Sequence, residues 1–191
     1  VVGAGTLAAM KDGSLGGAGG NVTVLEGAKL GATTVTINTP LDLKNGATLY
    51  ATANNVTSTW TGPMVVSGVV TVSPNNSTRT INLDGVIEGT GAIDIYNGTV
   101  NLSALNTFTG GLKVGAPTTS ETTVVLEGGA KLVAGSDAVI QVGAANASAT
   151  PTAYQYFYVD GTVENEGSLV AGRVGVLNLR SGGNWIQNGD M

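Results

Sequence analysis

Short runs that alternate apolar and polar residues recur along the chain, broken every few positions by glycine or asparagine–glycine. Val22-Thr23-Val24, Leu41-Asp42-Leu43, Ile93-Asp94-Ile95, Val100-Asn101-Leu102 and Phe157-Tyr158-Val159 are examples. In an extended segment such alternation puts one set of side chains on each face. It predicts short strands with Val, Ile and Leu turned inward and Thr, Asn, Ser, Asp and Lys turned outward. Runs with helical period are missing. One bend repeats: Leu25-Glu26-Gly27-Ala28-Lys29-Leu30 returns as Lys44-Asn45-Gly46-Ala47-Thr48-Leu49 and as Glu127-Gly128-Gly129-Ala130-Lys131-Leu132. The unit is a strand, a glycine bend and a second strand, repeating on the order of every 20 residues, within the range of solenoid repeats. One such rung cannot bury its apolar row alone, but stacked rungs share a continuous core.

The pattern predicts an all-β protein, a right-handed parallel β-helix running through residues 1–191 as a single segment. Loops are expected near 54–64, 115–123 and 144–152. A β-sandwich is the alternative, since short strands with frequent turns also suit it. Sandwich hairpins, however, favour two-residue primed turns, whereas here Gly-Ala-x-Leu carries the alternation through the bend. The stretch 13–21, rich in glycine, reads as close-packed corners. Neither end shows a charged or helical cap, and a coil without caps exposes unpaired strand edges.

Composition sharpens this picture. Of 191 residues 30 are Gly, 25 Thr, 24 Val and 16 Asn, and charged residues make up only 11%. With no Cys and no His, disulfides, thiolate or imidazole metal ligands and imidazole-dependent triads are excluded. Eight basic residues against thirteen acidic ones argue against nucleic acid as a partner. Apolar stretches are interrupted by Thr, Ser, Asn and Gly, so no transmembrane segment is expected, and no signal peptide is visible.

The segment 85–114 includes Gly89-Thr90-Gly91 and Asn106-Thr107-Phe108-Thr109-Gly110-Gly111. It resembles the autotransporter-associated β-strand repeat of bacterial passenger domains, in which a Gly-x-Gly strand leads to Asn-Thr-(Tyr/Phe)-Thr-Gly-Gly and a further strand. The resemblance covers about 30 residues, and the rest of the chain is similar in texture. It implies an extracellular or cell-surface parallel β-helix. Its bearing on activity is weak, because passengers include adhesins, toxins and enzymes. Neither a membrane barrel nor a serine-protease domain is expected within these 191 residues.

Several residues are candidates for contact chemistry. Tyr154, Tyr156 and Tyr158 form an outward row if Phe157 and Val159 point inward, and such a row suits sugar faces or a partner protein; it also suits a wall that stiffens one rung. Trp60, in the 54–64 loop, is a similar candidate, and Trp185 reads as an end cap. Asp160, Glu164 and Glu166 suit a solvated outer face, a Ca²⁺ site or a carboxylate pair for glycoside chemistry. Asn-x-Ser/Thr acceptor patterns begin at Asn21, Asn55, Asn75, Asn76, Asn97, Asn101 and Asn146 and would carry glycans in a permissive host. No cofactor is expected. Arg79, Arg173 and Arg180 stand apart in sequence, so no lyase-type groove of acids and bases is evident.

The expectation is a non-enzymatic extracellular stalk, adhesin or matrix component. It would be joined to a larger parent chain or stacked end to end on itself, with host or matrix glycans or proteins as its expected contacts. Alternatives are a subunit of a self-assembling filament and, third, a polysaccharide-active β-helix enzyme.

Overall fold

In the computed structural model, residues 1–115, 120–144 and 153–191 are described. The chain winds as a right-handed parallel β-helix of about seven turns. Three sheets form its sides, and each full turn contributes one strand to each. The first sheet has eight strands, Thr6–Ala9, Lys29–Ala32, Thr48–Ala51, Val69–Ser73, Ala92–Ile95, Gly111–Val114, Val139–Val142 and Ser168–Ala171. The second has seven, Thr36–Ile37, Thr57–Trp60, Thr80–Leu83, Gly98–Leu102, Thr122–Leu126, Gln155–Val159 and Gly175–Leu179. The third has eight, Val22–Val24, Leu41–Leu43, Met64–Val66, Ile87–Gly89, Leu105–Asn106, Lys131–Ala134, Thr162–Asn165 and Asn184–Gln187. The chain visits them in the order first, second, third.

Alternation within each strand sends one set of side chains into the shaft, where like stacks on like. Ile37, Trp60, Leu83, Leu102, Leu126 and Val159 form one inner row of the second sheet. Leu41, Met64, Ile87, Asn106, Leu132 and Val163 form a row of the third. The sandwich alternative is therefore excluded. In Gly175–Leu179 Leu177 stacks on Phe157, while Val176 stands outside beside Tyr156.

The repeated bend is a four-residue turn. Ala28, Ala47 and Ala130 donate their amides to the carbonyls of Leu25, Lys44 and Glu127, three residues back. The glycine before each alanine has φ of 71°, 76° or 87°, as the third position of a type II turn requires. The alanine methyl is buried. The first two copies lead from the third sheet to the first, and the last leads from the second to the third. The motif therefore encodes a bend, and its sheet is set by the turns around it.

Chain length is absorbed at one corner. Connections from the second sheet to the third, and from the third to the first, take two to four residues. Those from the first to the second take from two to twelve, the extremes being 96–97 and 143–154. The expected loops 115–123 and 144–152 fall here in large part, although residues 116–119 and 145–152 lie outside the described residues. The expected loop at 54–64 is corrected. Only 52–56 depart from the coil; Thr57–Trp60 and Met64–Val66 are strands, and Trp60 is 0% exposed, its ring stacked in the core between Ile37 and Leu83.

Every crossing at this corner contains a residue with left-handed backbone: Thr34, Asn55, Asn75, Asn97, Gly115, Gly143 and Val174. The five that are not glycine are the chain's only non-glycine residues with positive φ among those described. Asparagine tolerates this conformation better than most side chains, which gives Asn55, Asn75 and Asn97 a structural reason to be asparagine.

The glycine-rich stretch at 13–21 is not close-packed. A Cβ on Gly13, Gly16 or Gly19 would meet open space. The stretch instead covers the first strand of the second sheet. The Thr36 amide donates to the Asp12 carboxylate at 2.7 Å, and Leu15 packs against the core. That end thus carries a partial cap, contrary to the expectation of none.

Candidate functional site

Gln155–Val159 is held by in-register pairing on both sides, to Thr122–Leu126 and to Gly175–Leu179. Phe157 and Val159 are fully buried, so the alternate residues must face outward. Tyr156 and Tyr158 stack with ring centroids 5.6 Å apart and planes 9° from parallel, and Tyr154 continues the row at 6.0 Å and 32°. The Arg180 guanidinium lies 3.8 Å above the Tyr158 ring and donates to Asp160 at 3.2 Å. One end of the row is thereby fixed by a cation–π contact and an ion pair, while Tyr154 at the other is 56% exposed.

Desolvation, then the Glu121 carboxylate, then the neighbouring phenols push the Tyr156 hydroxyl above its ordinary pKa. It remains a neutral donor at physiological pH. The row is thus three apolar ring edges with polar tips, a surface that can lie against another apolar face and hydrogen-bond at its rim.

Along the same outer face the row gives way to a polar ladder. Thr57, Thr80, Thr99 and Thr123 are register neighbours of one another, leading to Tyr156. Beside them Asn101 donates to Asn82 at 2.9 Å, and Asn82 to Thr59 at 3.4 Å. Asn101 is therefore engaged in a ladder between rungs. Asn76 donates to Asn54 at 2.8 Å and accepts from Thr78. Asn21 and Asn55 are exposed, Asn97 is half-buried, and Asn146 lies outside the described residues.

The acidic trio is not assembled into a cation site. Asp160 pairs with Arg180 at 3.2 Å and Glu164 with Lys131 at 2.8 Å, and Glu166 is exposed at the next corner. Among the described residues no three carboxylates come close enough to share a metal ion. Trp185 lies in the final strand over Val163 and meets Phe157 edge-on at 6.3 Å and 75°. It covers the core at that end, as expected for a cap.

The residues behind the Asn-Thr-Phe-Thr-Gly-Gly segment are structural. Asn106 is fully buried in an otherwise apolar row and donates to the Ala104 carbonyl at 2.9 Å. Phe108 fills the shaft at the corner, and a Cβ on Gly110 or Gly111 would strike backbone of the adjacent turns.

Sequence reasoning missed Tyr50 and Tyr96. They stand 46 positions apart, but two rungs apart on the first sheet, and line one groove. Nothing short of the winding period could have paired them. Among the described residues no helix is long and apolar enough to cross a membrane. Comparison with protein-family models, curated proteins and solved structures finds no match to this chain.

Proposed function

We propose that this chain is a non-enzymatic, extracellular or cell-surface β-solenoid, a stalk or adhesin segment of the kind suggested by its resemblance to autotransporter passengers. The observation that carries this reading is the outward tyrosine row, clamped by Arg180 and Asp160 and mounted on a strand paired on both sides. A stacked core holds such a surface rigid without a lid or hinge, which lowers the ordering cost of binding. The test is to replace Tyr154, Tyr156 and Tyr158 together by Ser and measure capture by host-cell or matrix preparations and by glycan arrays. The reading expects capture to fall while thermal unfolding stays cooperative. Loss of folding would make the row a structural wall; unchanged capture by a folded variant would refute the contact role.

A filament subunit is the second reading, favoured by the end rungs. Leu7, which continues the inner row of Leu30, is 42% exposed at one end, and Leu179, which continues that of Val159, is 48% exposed at the other. These rungs accept another, whether from the same chain or from a second copy. The Asp12–Thr36 contact opposes simple stacking by closing one of the three sheets. Sedimentation velocity over a concentration series separates the two: a constant small species supports the stalk, and growing species support the filament.

A further inference from the structure

The outer surface of the first sheet carries a groove of about 340 Å³. Its floor is a register column of Thr6, Lys29 and Thr48. Tyr50 lies beside this column with its ring against Gly31 of the rung below; a Cβ on Gly31 would stand 2.5 Å from the ring's Cζ. Glycine at position 31 is therefore what lets the ring lie down along the sheet. Ser73 and Tyr96 continue the groove two rungs onward, and Asn75 and Asn97 form its side from the corner between the first sheet and the second. Both asparagines have left-handed backbone, φ 80° and 64°.

The groove spans five rungs, from Thr6 to Tyr96, or about 19 Å at the usual spacing of strands. Its polar groups are neutral hydroxyls and amides, with one exception. Lys29 is exposed, and its register neighbours are both threonine. The three ion pairs among the described residues use Lys44, Lys131 and Arg180, so Lys29 has no carboxylate within 4 Å. The nearest carboxylate in its own column is Asp94, beyond Thr48 and Thr71, and Asp94 has Lys113 as its next neighbour.

We propose that this groove binds a short acidic oligosaccharide, its sugar faces on Tyr50 and Tyr96 and one uronate carboxylate on Lys29. Repeating hydroxyls along such a ligand match the repeating Thr, Ser and Asn groups of the rungs, which both donate and accept. The aromatic rings supply apolar platforms for the sugar C–H faces, and the unpaired ammonium supplies the charge-assisted contact. This site is separate from the tyrosine row on the second sheet and does not depend on it.

The test is calorimetry and NMR titration of the full chain with tetragalacturonate and with its methyl ester, which keeps the rings and removes the charges. Saturable binding of the acid is expected, with the ester roughly tenfold weaker, as one charged hydrogen bond implies. Lys29→Gln should bind acid and ester alike, and Tyr96→Ser and Tyr50→Ser should weaken both. Should Tyr50→Ser lose its fold, Tyr96→Ser and Lys29→Gln still decide the matter. Equal affinity of wild type for acid and ester, discrimination that survives Lys29→Gln, or no saturable binding by folded wild type would overturn the proposal. So would loss of binding in a Tyr156→Ser, Tyr158→Ser variant with none in Tyr96→Ser, which would move the ligand to the row.

Discussion

At the corner from the second sheet to the third, Thr39, Gly62 and Gly85 follow one another up the coil with backbone against backbone. A Cβ on Gly62 would fall against the Thr39 carbonyl oxygen, and one on Gly85 against that of Gly62. At the corner from the first sheet to the second, the chain makes crossings of two to twelve residues and turns through a left-handed residue each time. The difference shows how a stacked coil tolerates uneven repeats. Leu102 pairs with Leu126 and Leu126 with Val159, although these partners are 24 and 33 residues apart. Register is kept because the corner from the second sheet to the third holds the turns at one spacing, while connections of unequal length are confined to the corner from the first sheet to the second.

The sharpest way to break this contrast is Gly85→Ala. The added methyl has only backbone to displace, and we expect a loss of about 2–3 kcal/mol in chemical denaturation. A loss below ~0.5 kcal/mol would mean the corner is compliant. Next comes Arg79→Ala at the corner between the first sheet and the second. Arg79 donates to the Ala51 carbonyl at 2.6 Å and to Asn54 at 2.7 Å, tying one long crossing to the one before it. Its removal should cost about 1–2 kcal/mol, read in the same assay, and should raise proteolysis at 52–56. Inserting Gly-Ser-Gly after Ser77 should cost under ~1 kcal/mol, since lengthening an exposed connection is inexpensive in entropy; the same insertion after Gly62 should abolish cooperative unfolding. The smallest effect has the opposite sign. Thr34 is β-branched at φ 50°, so Thr34→Asn should relieve strain and raise stability by about 0.5 kcal/mol, visible as a small rise in melting temperature.

Alternation and the glycine turns made the solenoid legible, because period two and the type II turn are local properties of the backbone. The outward tyrosine row followed from the same rule at Phe157 and Val159. Trp60 was misplaced because Asn54 and Asn55 do mark a departure from the coil, but the strand resumes at Thr57, and no local signal fixes where a crossing ends. The asparagines that begin glycan-acceptor patterns were ambiguous for a related reason. Left-handed backbone and Asn-x-Ser/Thr call for the same residue, so residue type alone does not distinguish them; φ at Asn55, Asn75 and Asn97 supplies the backbone reason.

By itself, then, the sequence determined that this chain forms short strands with one apolar face, bends at glycine, and must stack to bury that face. Those are consequences of near-neighbour sterics and of the hydrophobic effect acting on a periodic pattern. Which sheet each strand joins, where uneven turns place their excess, and which distant side chains meet was decided only by the winding. Tyr50 and Tyr96, or Asp12 and Thr36, become neighbours through the accumulated length of whole turns, and that length depends on every crossing between them.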